Sequence, residues 1–452
     1  MDRVVGGKNV DMTSVDPSST SDRSWLSPVA ANREETILRS VAGLGTSSTA
    51  TRIDALVERN RVIHEDECLN LNPASNVMNP RAEAMLAKGL GTRASLGHAG
   101  EKYEFGLEAI EEIEVIAASL VRRVFGVRHA ELRVGSGALA NLYAFMATCR
   151  PGDTIVVPPA TIGGHITHRP GGAAGLYGLD IHEYAIDADR FTVDLDSLAR
   201  LVERVRPRLI TIGASVNLLP HPVAAVRAIA DRVGATVMFD AAHACGLFAG
   251  RAWPNPLDEG ADVMTMSTYK SLGGPAGGLV LTNRDDLAER LDAIAYPGLT
   301  ANFDVATTAA LAVSMLDWID HGNAYATAMV AAASALADGL VARGLPLVTT
   351  IEGPTRSHQL IVDARQWGGG HEASARLRSA NLLACAIGMP GHDGTPGLRL
   401  GTPEAVRWGI TAEHMDELAG LVADALNGDP QAVAPRTTAF RRRFREVHFV
   451  HT

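Results

Sequence analysis

Lysine is scarce in this chain, and its placement carries information. Only four of the 41 basic residues are lysines, at positions 8, 88, 102 and 270, and the rest are arginines. Arginine keeps its proton in proteins, whereas a desolvated lysine can lose it. Lys270 stands in a run of small residues, Met266-Ser267-Thr268-Tyr269-Lys270-Ser271-Leu272-Gly273-Gly274. The run follows a β-type stretch and enters a glycine turn. An amine there, its pKa lowered by desolvation, suits imine formation with a carbonyl. A lysine lying along the surface with its charge in water is the plainer alternative. Asp240 shifts that balance. It closes the apolar run Thr236-Val237-Met238-Phe239 and precedes Ala241-Ala242-His243. A carboxylate at the carboxyl end of a parallel strand sits at the usual ligand-binding edge. An Asp about 30 residues before an imine-forming lysine suits pyridoxal phosphate, because it keeps the pyridine nitrogen protonated and the ring electron-accepting. His243 could donate to the ring hydroxyl. As an alternative, Asp240 could cap a helix.

Three further segments could complete such a site. Ser136, Gly137 and Ala138 precede the helical stretch Leu139 to Thr148, and free N–H groups at a helix start seat a phosphate. An ordinary helix start reads the same way. His165, in Gly163-Gly164-His165-Ile166-Thr167-His168, follows the β-type run Thr154 to Val157 and could stack on an aromatic ring. Arg399, in Gly397-Leu398-Arg399-Leu400-Gly401, lies between apolar neighbours. If buried it needs an anion, and the α-carboxylate of an amino acid is a natural bidentate partner. A protein carboxylate would serve equally.

Alternating strands and helices must position these residues. Leu107 to Phe125 reads as an amphipathic helix. Short apolar runs follow at Thr154 to Val157, Leu209 to Ile212, Thr236 to Phe239, Val263 to Met266 and Gly278 to Leu281. Helical stretches such as Val223 to Val233 lie between them, and the pattern implies a mostly parallel sheet covered on both faces. Arg33 to Arg61 is expected to be largely helical, and residues 304 to 345 form an Ala-rich helical region. A smaller α+β unit spans about Leu347 to Leu426. Residues 1 to about 30 read as a mobile arm. Phe440 to Phe449 (FRRRFREVHF) is a basic-aromatic stretch that could bind anions or dock on the protein's own acidic body. The expected organisation is an N-terminal arm and helix (1–75), a large cofactor domain (76–320), a small C-terminal domain (321–428) and a tail (429–452).

Composition narrows the function. The 41 basic residues face 51 acidic ones, for a net charge of −10, which disfavours general binding to nucleic acid or anionic membrane. The longest apolar run, Ala326 to Ala337, is stopped by Asp338 short of a membrane span. No basic region followed by an apolar stretch opens the chain, and Cys68, Cys149, Cys245 and Cys385 are widely spaced without a CxxC pair. The expectation is a cytoplasmic protein with reduced thiols and no zinc framework.

The order of these segments resembles serine hydroxymethyltransferase, a fold-type I pyridoxal-phosphate enzyme, from about Asn70 to Leu426. The resemblance rests on Ser136-Gly137 with Ala140-Asn141, Gly163-Gly164-His165 with Thr167-His168, Phe239 to His243, Lys270 to Gly278, and Gly397 to Pro403. It implies an α/β fold with a mostly parallel seven-stranded large domain and a smaller α+β C-terminal domain. It implies that Lys270 carries pyridoxal 5'-phosphate as an imine, Asp240 pairs with its ring nitrogen and His165 stacks on the ring. Ser136, Gly137 and Ala138 seat the phosphate, Ser267 stands where the family has a Thr and is expected to bind the cofactor, and Ser215 and His243 approach the ring-hydroxyl side. Arg399 takes the substrate carboxylate, with Tyr269 beside the lysine. The family forms dimers, or tetramers of dimers, with shared active sites, and Tyr296 to Asn302 resembles the segment that reaches a neighbour's phosphate.

The departures fall on the other half of the site. The family's Tyr and proton-transfer Glu align with Ala94 and Leu96, an early-loop Ser with Ala74, and the His before the lysine with Tyr269. The Asn-rich folate stretch aligns near Cys385-Ala386-Ile387, and Glu104 replaces a Tyr near the substrate carboxylate. The expected activity is therefore aldol chemistry at the Cα–Cβ bond of a β-hydroxy-α-amino acid, releasing or accepting an aldehyde, without tetrahydrofolate. It covers a threonine-type aldolase, a transaldolase or a folate-independent hydroxymethyltransferase. His165 or Glu104 would supply the base. A racemase or aminotransferase on the same cofactor, or a catalytically silent scaffold, are the alternatives.

Overall fold

A computed structural model describes residues 23–452. Lys8 and most of the expected arm lie outside the described residues. The chain divides into two units, Met1–Asp66 and Glu67–Thr452.

The first unit contributes two helices, Pro28–Val41 and Thr46–Val62, neither with a buried residue. Ser27 caps the first by accepting from Ala30 N–H at 3.2 Å, with Pro28 at its first position. Residues 33–61 are largely helical, as expected, with one interruption at 42–45, where Gly43 takes φ +80°, a conformation that ends helices.

The second unit is built on a seven-stranded sheet in the order His129–Glu131, Gly278–Thr282, Val263–Ser267, Thr236–Asp240, Leu209–Ile212, Thr154–Val157, Asp180–Glu183. The last five are mutually parallel, and Gly278–Thr282 runs antiparallel to both its neighbours. Every residue of Leu209–Ile212, Thr236–Asp240, Val263–Ser267 and Gly278–Thr282 is buried. That is why these strands read as continuous apolar runs rather than alternating ones. The result is the α/β, fold-type I architecture expected from the sequence. A smaller antiparallel sheet places Gly397–Gly401 between Gln359–Asp363 and Cys385–Ile387.

The expected boundaries differ from what the chain does. Residues 67–75 are not part of the N-terminal piece, because Leu69–Asn70 pairs in parallel with Leu382–Leu383 and Gly401 N–H donates to Leu71 O at 2.7 Å. Nor does a boundary fall at 320/321, because one helix runs unbroken from Val305 to Ala342. Its length and apolar composition would suit a membrane span, yet half of its most apolar window is buried. The tail is helical over Pro430–Arg441 and docks on its own unit. Arg441 lies 4.0 Å over the Trp408 ring, Arg443 pairs with Glu417 at 2.8 Å, and the Phe449 ring stacks on Tyr325.

A buried ion pair joins these parts. Asp317, on the long helix, pairs with Arg407, and both are almost fully enclosed. Asp317 Oδ1 also accepts from Asn79 Nδ2 and from His451 N–H, each at 2.7 Å. Arg407 lies against Gly273, at φ +66°, where a Cβ would collide with the guanidinium. Removing one partner leaves an uncompensated buried charge. Asp317→Ala is therefore expected to lower stability by roughly 3–5 kcal/mol, read from the urea midpoint, whereas the double change Asp317→Leu/Arg407→Met recovers part of the loss.

Candidate active site

Two adjacent strands end at one edge of the large sheet. Thr236–Asp240 closes with Asp240, and the neighbouring Val263–Ser267 closes with Ser267, three residues before Lys270. The turn Ser271–Gly274 then leads to the antiparallel strand Gly278–Thr282. The helix Gly137–Thr148 begins at the same edge. Ser136 caps it, accepting from Leu139 N–H at 3.2 Å. Gly137 must lack a side chain, because a Cβ would collide with Ser267 Oγ. The Ser267 hydroxyl makes no hydrogen bond among the described residues. These features give a helix N-terminus, a free hydroxyl and no side-chain bulk, which fits a phosphate.

Asp240 is 3% exposed, and its charge is held by neighbours. Burial alone would raise its pKa, but His168, His165, Asn141 and the Ala242 N–H overcome that and hold it below the ordinary carboxylate value. Asn141 Nδ2 donates to Asp240 Oδ2 at 3.0 Å and to Thr167 Oγ1 at 2.8 Å, while Asn141 Oδ1 accepts from Thr265 Oγ1 at 2.6 Å. Both amide hydrogens of Asn141 are thus used. Thr167 Oγ1 faces His165 Nδ1 at 2.8 Å, and Thr167 N–H donates to the same nitrogen at 3.3 Å. With Nδ1 accepting, the proton of neutral His165 lies on Nε2. Burial first, then the charges of Lys270 and Arg399, hold His165 below the usual imidazole value against the pull of Asp240.

Lys270 is 6% exposed, and burial pushes its amine below the ordinary lysine value, opposed by Asp240. Its Nζ lies 3.2 Å from His243 Nε2. The hydrogen-bond pattern fixes the other side of that ring. Gln359 Oε1 accepts from Asn217 N–H at 3.0 Å, so Gln359 Nε2 is the donor to Ser215 O at 3.1 Å and to His243 Nδ1 at 3.3 Å. His243 Nδ1 therefore accepts from Gln359, and its Nε2 faces both Lys270 Nζ and the Arg399 guanidinium. Burial, reinforced by Lys270 and Arg399, keeps the His243 ring well below its usual value.

Arg399 is 6% exposed in the middle of the Gly397–Gly401 strand. Among the described residues no carboxylate pairs with it. Its Nε and Nη2 donate to Cys385 Sγ at 3.3 and 3.2 Å, and Nη1 donates to Ser215 O. Nη1 also lies 3.4 Å from His243 Nε2, which places the guanidinium beside the lysine. A buried guanidinium without a carboxylate fits an incoming one.

The structure thus brings together His165, Asp240, His243, Lys270, Ser215 and Arg399, with Ser136, Gly137, Ala138 and Ser267 at the adjoining helix start. It does not join Tyr269 or Glu104 to them. Tyr269 is 37% exposed, whereas the adjacent Lys270 is buried. Glu104 makes no hydrogen bond among the described residues, and its Oε2 is buried without a partner. Sequence reasoning assigned no role to Asn141, Thr167, Gln359 or Cys385. Asn141 had a signal, one helical turn past the Ser-Gly start. Gln359 had none, because it arrives from the smaller sheet.

The serine hydroxymethyltransferase family model matches residues 48–422. The chain belongs to the serine hydroxymethyltransferase family. It is 52% identical to an alpha-methylserine aldolase of Ralstonia sp, covering 95% of this chain and 99% of that protein. It is 55% identical to an alpha-methylserine aldolase of Variovorax paradoxus, over 95% and 98%. Identity to a serine hydroxymethyltransferase of Methanopyrus kandleri is 38%, over 85% and 91%. As a member of this family the chain is a pyridoxal-phosphate enzyme, and its residues fit the group. Lys270 offers a buried amine that holds its proton less tightly than usual, Asp240 a fixed negative charge and the Gly137 helix start a phosphate seat.

Two outcomes follow from these charges. Borohydride reduction of the protein loaded with pyridoxal phosphate is expected to label Lys270 in peptide mapping, and Lys270→Ala to abolish the label. Burial also lowers the His221 and His358 imidazoles to about 4 and about 3. Their folded values lie below the unfolded value near 6.5, so below that pH the unfolded chain binds protons that the folded chain does not. Each histidine then costs about 1.4 kcal/mol per pH unit down to about pH 4, and the urea midpoint should drop between pH 7.5 and 5.5.

Proposed function

We propose that this protein is a folate-independent aldolase that cleaves the Cα–Cβ bond of an α-methylated β-hydroxy amino acid, α-methylserine in the first instance. The products are alanine and formaldehyde. The observation that carries this reading is a pairing. The cofactor and carboxylate half of the site is complete in Lys270, Asp240 and Arg399, while Leu96 stands where the family's proton-transfer acid aligns. The Leu96 loop is anchored structurally: Ser95 Oγ and Lys102 Nζ both donate to Glu114, at 2.5 and 2.6 Å. Glu114 is therefore occupied and is no substitute for the missing acid. The names of the relatives above 50% identity support the same substrate.

Bound here, pyridoxal phosphate supplies a sink for the electron pair left on Cα when the Cα–Cβ bond breaks. Arg399 holds the substrate carboxylate by the end of its guanidinium that Cys385 does not cover. Asp240 keeps a proton on the ring nitrogen. His165 would present Nε2–H to the bound group, as a donor rather than a base. The β-hydroxyl proton goes to Glu104, whose free Oε2 suits that task. The proton returning to Cα comes from Lys270 Nζ, faced by His243 Nε2. α-Methylserine has no α-proton, so its turnover does not test proton removal at Cα, only bond cleavage to Cβ.

The working unit in this reading is a homodimer. Tyr103 is 79% exposed and Phe105 fully exposed on either side of Glu104, a surface that suits cover by a second copy. Delivery of Glu104 to the neighbour's Lys270 would then complete the site.

Incubation of the protein loaded with pyridoxal phosphate with α-methyl-L-serine, without folate, is expected to yield alanine and formaldehyde in equal amounts. Added tetrahydrofolate should give no acceleration. Absence of aldehyde from α-methylserine, serine and threonine, with α-proton exchange on alanine retained, would overturn the reading in favour of a racemase or aminotransferase. Loss of both activities with a cofactor imine intact would favour a scaffold.

A further inference from the structure

Arg399 is held in an unusual way for a buried arginine. Its partner across the strand pair is Cys385, the residue directly opposite it in the antiparallel register. Sγ takes the Nε and Nη2 hydrogens at 3.3 and 3.2 Å. These two donors form one side edge of the guanidinium. The carbonyl of Ser215 takes a hydrogen of Nη1. Nη1 also faces His243 Nε2 at 3.4 Å, so of the five N–H groups of an arginine one, on Nη2, is left without a partner, and the long Nη1 contact is the one an incoming carboxylate would displace to be gripped end-on by both terminal nitrogens. A sulfur is a weak acceptor. It fixes the plane and direction of the guanidinium without neutralising it, as an Asp or Glu would. The other three thiols are buried, whereas Cys385 is partly exposed.

We propose that Cys385 is the positioning residue for the substrate-carboxylate anchor, aiming the Nη1–Nη2 end of Arg399 at the incoming amino acid while leaving its charge uncompensated. The inference rests on the reading of Arg399 as that anchor. It also gives a physical reason for a thiol here. A carboxylate would cancel the charge and compete with substrate, and an aliphatic side chain would leave two buried N–H groups unpaired.

The test compares Cys385→Val, Cys385→Ser and Arg399→Lys in the holoenzyme. Cys385→Val is expected to raise KM for α-methylserine about tenfold, with kcat changed much less, because a ground-state contact is lost. Cys385→Ser, which restores an acceptor, should recover most of the affinity, and a merely structural role would not produce that split. Iodoacetamide should modify Cys385 before the buried thiols. Alanine should slow that reaction, and alaninol, which has the amine but no carboxylate, should not. Unchanged KM in Cys385→Val, or equal protection by alaninol, would overturn the inference. If Arg399→Lys raises KM while Cys385→Val does not, only the role of Cys385 fails. If neither changes KM, the reading of Arg399 as the anchor fails as well.

Discussion

Charge without water is the constraint on which this site depends. Asp240, Lys270 and Arg399 are each less than a tenth exposed, and no pair of them forms a simple ion pair. Asp240 keeps its negative charge through an amide, a backbone N–H and two nearby histidines. Lys270 answers the same burial by holding its proton less tightly than an ordinary lysine. Arg399 keeps its proton and is held by a sulfur and a carbonyl. Three responses to one desolvation cost give a fixed anion, a readily deprotonated nucleophile and an uncompensated cation within one cleft, which is what an amino acid and an aromatic aldehyde require of it.

The hydrogen-bond network makes these states definite. Asn141 has only two amide hydrogens, and it spends them on Asp240 and Thr167. Thr167 then fixes His165, and Gln359 fixes His243 in the same fashion from the other sheet. Each imidazole thus has Nδ1 facing a donor. The proton of neutral His165 lies on Nε2, whereas Nε2 of His243 faces Lys270 and Arg399. The chemistry of the site is set by residues one step removed from it, whose own orientations are fixed by backbone groups or by the Thr265 hydroxyl.

The turn that carries Lys270 is held from beneath. Lys270 O accepts from Asn76 Nδ2 at 3.1 Å, and the same amide donates to Tyr325 OH at 2.9 Å. Trp318 Nε1 donates to Leu272 O at 2.8 Å. Tyr325 in turn stacks on Phe449, near the chain's end. The basic-aromatic tail, which in the sequence looked suited to an external anion, is therefore part of the scaffold beneath the lysine turn.

The sequence by itself determined the fold class, the order of strands and helices, and the residues at strand ends. Fully buried parallel strands show as apolar runs such as Thr236 to Phe239, and a polar residue closing such a run marks the ligand edge. Lys270 was legible because lysine is rare here and glycines follow it. The tertiary structure alone decided which distant residues meet. Gln359, Cys385 and Asn76 belong to segments far from Lys270 in the chain, and no local pattern announces that their side chains turn toward it. Protonation was likewise invisible in the sequence, because a tautomer depends on what faces each nitrogen. Identity along a chain records local preference, whereas charge state and contact depend on burial and neighbours, which exist only once the two sheets have packed.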